Sequence, residues 1–197
     1  MLLLLEIRHS TERRSCGAGY AVAVPPVDGL RSPESDSAAR RRERSQWTAD
    51  LLELEAGRIG FPVLDRDSIR ALLAASPRIA VVGASPSPVR PSHGVLVDLR
   101  GLGFDVVPVN PTAEEVAGLR CYPTLREAVD ATGPVDIVDV FRLPMYCAEH
   151  AREAVEVGAR CLWLQLGIAS REAGMIAHEA GLDIVMNRCL AVEAMRG

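Results

Sequence analysis

The sequence contains no lysine; all 22 of its basic residues are arginine. The deficit reads as codon bias in a GC-rich genome rather than as chemistry. Basic residues are outnumbered by 26 acidic ones and the formal net charge is -4, which speaks against a nucleic-acid partner. No two cysteines stand at C-x-x-C spacing. Cys16, Cys121, Cys147, Cys161 and Cys189 are scattered and odd in number, which excludes a disulfide framework and a zinc site and leaves reduced thiols in the cytosol as the simplest reading. No apolar run approaches the roughly 20 residues that span a bilayer. The opening "MLLLLEI" is too short for a secretory core and has no basic residue before it, so no export signal is read. The expected setting is therefore cytoplasmic, without membrane or nucleic acid. The glycine-rich G-x-G-x-x-G fingerprint of dinucleotide sites is missing as well.

What is present is core material. The chain is 48% hydrophobic over 197 residues, enough for one packed domain with or without a tail. Residues 1–46 match a folded domain poorly. "VPPVDGLRSPESDSAARRRERS" (24–45) carries no period of 2 or 3.6, so loop or disorder is expected, and its arginine cluster reads as a solvated tail. Residues 47–66 form a linker in which "WTADLLELEAG" is compatible with a short helix. The folded domain is expected over 67–197.

"DRDSIRALLAAS" predicts a helix capped by Asp65, Asp67 or Ser68, with Ile69, Leu72 and Leu73 as its stripe. From Arg78 strands and helices alternate. "RIAVVG", "FDVVPVNP", "VDIVDVF", "RCLWLQLG" and "LDIVMN" read as strands, with a further short strand in "LRCYPTL". Helices are expected from Ser92 through Leu102, in "TAEEVAG", "LREAVDAT", "AEHAREAVEVGA" and "SREAGMIAHEAG". This alternation predicts a doubly wound α/β domain, with a mostly parallel sheet covered by helices on both faces.

Ligands of such sheets lie beyond the carboxyl ends of the strands. Four clusters fall there: Gly83-Ala84-Ser85-Pro86, Val109-Asn110-Pro111, Val140-Phe141-Arg142 and Gln165-Leu166-Gly167. Gly83 permits close approach of a phosphate, and Ser85 offers a hydroxyl. The amides around His93 and Gly94 start a helix whose dipole favours an anion. Arg90 and Arg142 can each fork onto a phosphate. The prolines after Ser85 stiffen the loop. Ser92 reads as a helix cap. An NAD site would place a carboxylate after the second strand; Val109-Asn110-Pro111 has none, which favours a ligand with an additional phosphate, coenzyme A or NADP.

The blocks "VVGASPSPVRPSHGV", "VPVNP", "VDIVDVFRLP", "LWLQLGI" and "GLDIVMNRCL", in this order, resemble the stand-alone CoA-binding proteins. Those are similar to the nucleotide-binding domain that opens the succinyl-CoA synthetase alpha subunit. The resemblance covers about Asp67 to Val192 and implies a Rossmann-like fold with coenzyme A in an extended groove. By that resemblance Gly83, Ala84, Ser85 and Pro86 line the phosphate turn with Arg90 beside it. Val109, Asn110 and Pro111 border the adenosine, Phe141, Arg142 and Pro144 the middle of the ligand, and Gln165 and Gly167 the far rim, with Asn187-Arg188-Cys189 near the same edge. It implies a small-molecule partner, coenzyme A or an acyl-CoA, and leaves a protein partner open.

No catalytic role is implied. The synthetase needs a phosphohistidine domain, and none of His9, His93, His150 and His178 lies in a matching loop. Cys189 is the one nucleophile near the expected ligand edge, and a buried, inert thiol is its default reading. Asp136 and Asp139, three apart on one strand, do not form an acid–base pair. The reading is a CoA-binding module, non-catalytic or regulatory, with no metal site. The alternatives are an NAD(P)-binding oxidoreductase or redox-sensing domain, and an interaction module.

Overall fold

The computed structural model describes residues 33–75 and 78–196. Its elements in chain order are α1 (Pro33–Glu55), α2 (Arg66–Ala75), β1 (Arg78–Val82), α3 (Pro91–Gly101), β2 (Asp105–Val109), β3 (Glu115–Val116), β4 (Leu119–Arg120), α4 (Leu125–Thr132), β5 (Ile137–Val140), α5 (Pro144–Glu156), β6 (Cys161–Leu164), α6 (Arg171–Glu179), β7 (Asp183–Val185) and α7 (Leu190–Arg196). No described helix is long and apolar enough to cross a membrane.

Five strands form one sheet in the order β2-β1-β5-β6-β7, and all four pairings are parallel. Because successive side chains on a strand point to opposite faces, each strand feeds two cores. Ala80, Val82, Val138, Val140, Leu162 and Leu164 face α4, α5 and α6. Ile79, Val81, Ile137 and Trp163 face α2, α3 and α7. Burial on both faces explains why these strands read as continuous apolar runs rather than alternating ones. The doubly wound expectation holds.

The helix starts have local causes. The Asp65 carboxylate accepts the Ser68 amide at 2.9 Å at the start of α2. The Thr124 and Ser170 hydroxyls accept the amides of Glu127 and Ala173 at the starts of α4 and α6. Each is an N-cap bond of the kind worth about 1 kcal/mol.

Three expectations need correction. The stretch expected as loop or disorder meets helix α1 from Pro33 onward; residues 1–32 lie outside the described residues. α1 is tied down where it enters the expected linker. Trp47 Nε1 donates to the Gly167 carbonyl at 2.9 Å, and the buried Asp50 accepts the Arg171 amide, also at 2.9 Å. "TAEEVAG" is not a helix but the first half of a hairpin, β3 paired antiparallel with β4. Seven residues are too few to nucleate a helix unaided. Positive φ at Ala117 (51°) and Gly118 (77°) gives the two-residue turn that hairpins favour. The short strand expected in "LRCYPTL" is β4, outside the main sheet. Third, the helix expected through Leu102 ends at Gly101, and Leu102 is its exposed C-cap.

Candidate functional site

Counting only main-sheet strands in chain order, the sheet runs second, first, third, fourth, fifth. The strand order therefore reverses between β1 and β5, the position at which folds of this topology bind ligands. Gly83 follows β1 there with φ +85°. A Cβ at Gly83 would meet the Phe141 carbonyl oxygen at 2.9 Å and Arg142 Cδ at 3.2 Å. Glycine is required twice over, by its dihedral and by the closeness of the β5 end. The Gly83 and Ala84 amides both reach the Val109 carbonyl, at 2.9 and 3.3 Å. Three of the four clusters expected at the site are thereby in direct contact.

The loop after Gly83 is held by its own polar atoms. Ser92 Oγ, buried, accepts the Ser85 amide at 3.1 Å. Ser92 is therefore a loop brace rather than the helix cap expected of it, and Arg90 occupies the cap position of α3 without a side-chain cap bond. The Ser85 hydroxyl accepts the Ser87 amide at 3.2 Å, and the Ser85 carbonyl sits 3.0 Å from His93 Nδ1. Asn110 Nδ2 donates to the Ala84 carbonyl, and Asn110 Oδ1 accepts from the Thr112 amide at 3.0 Å. Asn110 thus ties the end of β2 to the loop rather than only punctuating a turn. The first turn of α3 is partly closed on itself, since the His93 and Gly94 amides donate to the Arg90 carbonyl at 3.0 and 3.5 Å. The helix dipole remains at that end, and a Cβ at Gly94 would meet nothing within 4 Å.

Around this turn stand the exposed side chains of Pro86, Arg90, Pro111 and Arg142, with Phe141 and Pro144 half-buried. The stem of Arg142 passes beside Gly83, and its guanidinium lies 5.3 Å from the centroid of the Tyr146 ring. At the β2 edge Tyr122 bridges to Val109, and the exposed Arg120 lies 5.1 Å above the Tyr122 ring. Neither residue is singled out by the sequence, because the short strand expected in "LRCYPTL" carries no sign that it folds back against the end of β2.

The fourth cluster divides. Gly167, with φ +79°, stays at the rim; its amide donates to Asn187 Oδ1 at 2.8 Å and its carbonyl takes Trp47. The Gln165 side chain turns inward, where Nε2 donates to both Asp139 carboxyl oxygens at 2.8 and 2.9 Å. Asp139 is fully buried inside β5, and burial pushes its carboxyl up to about 8 against the lowering effect of the Gln165 bond. Asp139 and Gln165 therefore form a buried neutral pair beneath the rim. Burial also raises the thiols of Cys121 and Cys147, the latter to about 12, and that of Cys161 still more, so these three are poor nucleophiles. Cys189 is half-buried at the β7 end rather than enclosed; Cys16 lies outside the described residues.

The family model described as "CoA binding domain" matches residues 77–195. The chain belongs to the CoA-binding domain family. It is 39% identical to the protein YneT of Bacillus subtilis over 124 residues, 63% of this chain and 90% of that one. A solved hypothetical protein from Pyrococcus horikoshii superposes with TM-score 0.64 at 41% identity, over 68% of this chain and 92% of that one. An acetate–CoA ligase (ADP-forming) of Archaeoglobus fulgidus is 28% identical over 123 residues, which are only 18% of its length. The matched segment begins just before β1, so α1 and α2 lie outside it.

Proposed function

We propose that the chain binds coenzyme A, free or as an acyl-CoA, through its 3′-phospho-ADP portion, and acts as a carrier or regulatory module without catalysis of its own. The observation that carries this reading is the turn at Gly83. There a positive-φ glycine, pressed against the end of β5, lies beside the stem of an exposed arginine at the reversal of strand order. A diphosphate lying over Gly83 and Ala84 is reached by Arg142 from one side and by Arg90 and the α3 dipole from the other. The adenosine then runs to Val109, Asn110 and Pro111, where Arg120 is a further cation for the 3′-phosphate. The pantetheine runs over Phe141 and Pro144 toward Gly167.

Calorimetric titration with CoA, dephospho-CoA and NADP tests this. CoA is expected to bind more tightly than dephospho-CoA, since only CoA carries the 3′-phosphate. Arg142→Ala is expected to weaken CoA binding by about 1.5–3 kcal/mol, the range for a charge-assisted contact. Binding of NADP but not CoA would overturn the ligand assignment, and an unchanged affinity in Arg142→Ala would remove Arg142 from the site.

A further inference from the structure

A cavity of about 580 Å3 opens beyond the carboxyl end of β7, within the size range of small-molecule sites. Its apolar wall is built by Leu54 of α1, Val63 and Leu64 before α2, Leu166 after β6, Met186 after β7, and Val192 of α7. The cavity adjoins the far rim of the candidate site. Leu166 stands directly before Gly167, and Asn187, whose side chain holds the Gly167 amide, also lines the cavity. Leu166 is 70% exposed and Val192 41%, so apolar surface faces solvent where the ligand's thiol end would arrive.

We propose that this cavity receives the acyl chain of a straight-chain acyl-CoA, entering over the Leu166–Gly167 rim. The inference rests on coenzyme A being the ligand of the main site. The chemistry favours an uncharged chain over a dicarboxylic acyl group. The two arginines of the cavity, Arg188 and Arg196, both bond Glu193, at 3.2 and 3.1 Å, and Glu55 also lines the cavity, so its two cations are matched by two carboxylates. The apolar side chains remain to select. Leu54, Val63 and Leu64 come from the segment ahead of residues 77–195, so the preference depends on residues outside the part that the family model matches.

The test is calorimetric titration of the full chain with CoA, acetyl-CoA and octanoyl-CoA, repeated on Val192→Trp and Val63→Trp. Both side chains are partly exposed and stand outside the CoA groove, and the larger ring fills the cavity. Octanoyl-CoA is expected to bind at least about tenfold more tightly than acetyl-CoA, an increment that two buried methylenes would supply. Either tryptophan variant is expected to erase that increment and leave the affinity for CoA unchanged. Equal affinities for the three ligands would overturn the acyl cavity while leaving the coenzyme reading intact. An increment that persists in both variants would place the chain elsewhere and also overturn it. Absence of binding by any of the three would take down both readings together.

Discussion

The two ends of the sheet use charge in opposite ways. At the amino ends, arginines are paired. Arg78 bonds the Asp105 carboxylate and the Thr132 carbonyl, its amide reaches Asp136 at 3.3 Å, and Arg160 pairs with Asp183 at 3.4 Å. At the carboxyl ends Arg90 and Arg142 are exposed and bond no carboxylate among the described residues. The carboxylate found toward that end, Asp139, is instead buried beside an amide. Charge at the amino ends therefore serves to join strands, whereas at the carboxyl ends of β1 and β5 the cations remain available to an anionic ligand. One family of parallel strands supports both arrangements because every strand delivers its two ends to opposite edges of the domain.

The largest effect is expected at Asp139. Its folded-state pKa lies near 8, well above the ordinary carboxylate value of an unfolded chain, about 3.9. Such a group contributes stability that is fully present below about pH 4 and is lost as pH rises to about 8, because the unfolded state releases its proton first. Asp139→Asn keeps an acceptor for Gln165 and removes the titration. In urea denaturation from pH 4.5 to 9, the stability of Asp139→Asn relative to the parent is expected to climb up to about pH 8 and then level off. A difference that stays flat would show that Asp139 is ionised in the fold and that the contrast between the two ends is misdrawn. Next in size is Gly83→Val, where the new side chain would meet the Phe141 carbonyl in a backbone region that β-branched residues avoid. A loss of roughly 3 kcal/mol in denaturant unfolding is expected.

Two arginine variants then test the comparison directly. Arg78→Ala should lower stability by about 1–2 kcal/mol through its lost bonds, one of them to a part-buried carbonyl, and leave CoA affinity unchanged. Arg142→Ala should leave stability nearly unchanged and weaken CoA. Equal effects of both variants on stability and on affinity would abolish the distinction between the ends.

Only the carboxyl-end half of this contrast was legible in the sequence; the pairs of Arg78 and Arg160 depend on which strands lie side by side. The five main strands were visible because burial on both faces leaves apolar runs such as "RIAVVG" with no alternation to confuse them. Gly83, Asn110, Phe141, Arg142 and Gly167 fall at strand ends, so the fold class alone brought them to one edge. What was not legible depended on tertiary context. The buried Asp139 looks like any strand aspartate until Gln165, 26 residues later, is placed beside it. The hairpin at Ala117-Gly118 carries helix-forming neighbours, and its turn is braced by Arg100 donating to the Ala117 carbonyl at 2.8 Å, a contact between elements. α1 has little apolar periodicity in its first half, and its attachment depends on a carbonyl 120 residues away. The short helix α7 was not read at all, because it follows the last strand within a few residues and lacks a strong cap.

The smallest expected effect concerns that attachment. Trp47 Nε1 donates to the Gly167 carbonyl at the rim of the carboxyl end, from a helix that lies outside the residues the family model matches. Trp47→Phe keeps most of the ring contact and removes one donor, so the Gly167 carbonyl must turn to water. A single neutral hydrogen bond contributes about 1 kcal/mol or less in a part-buried setting. The urea midpoint is expected to fall accordingly at unchanged slope, with CoA affinity preserved, because Gly167 keeps its second tie through Asn187 Oδ1. A fall in CoA affinity without a shift in midpoint would mean that α1 positions the rim for the ligand, and the carboxyl end would then have to be drawn as extending into the helix that precedes the family's own fold.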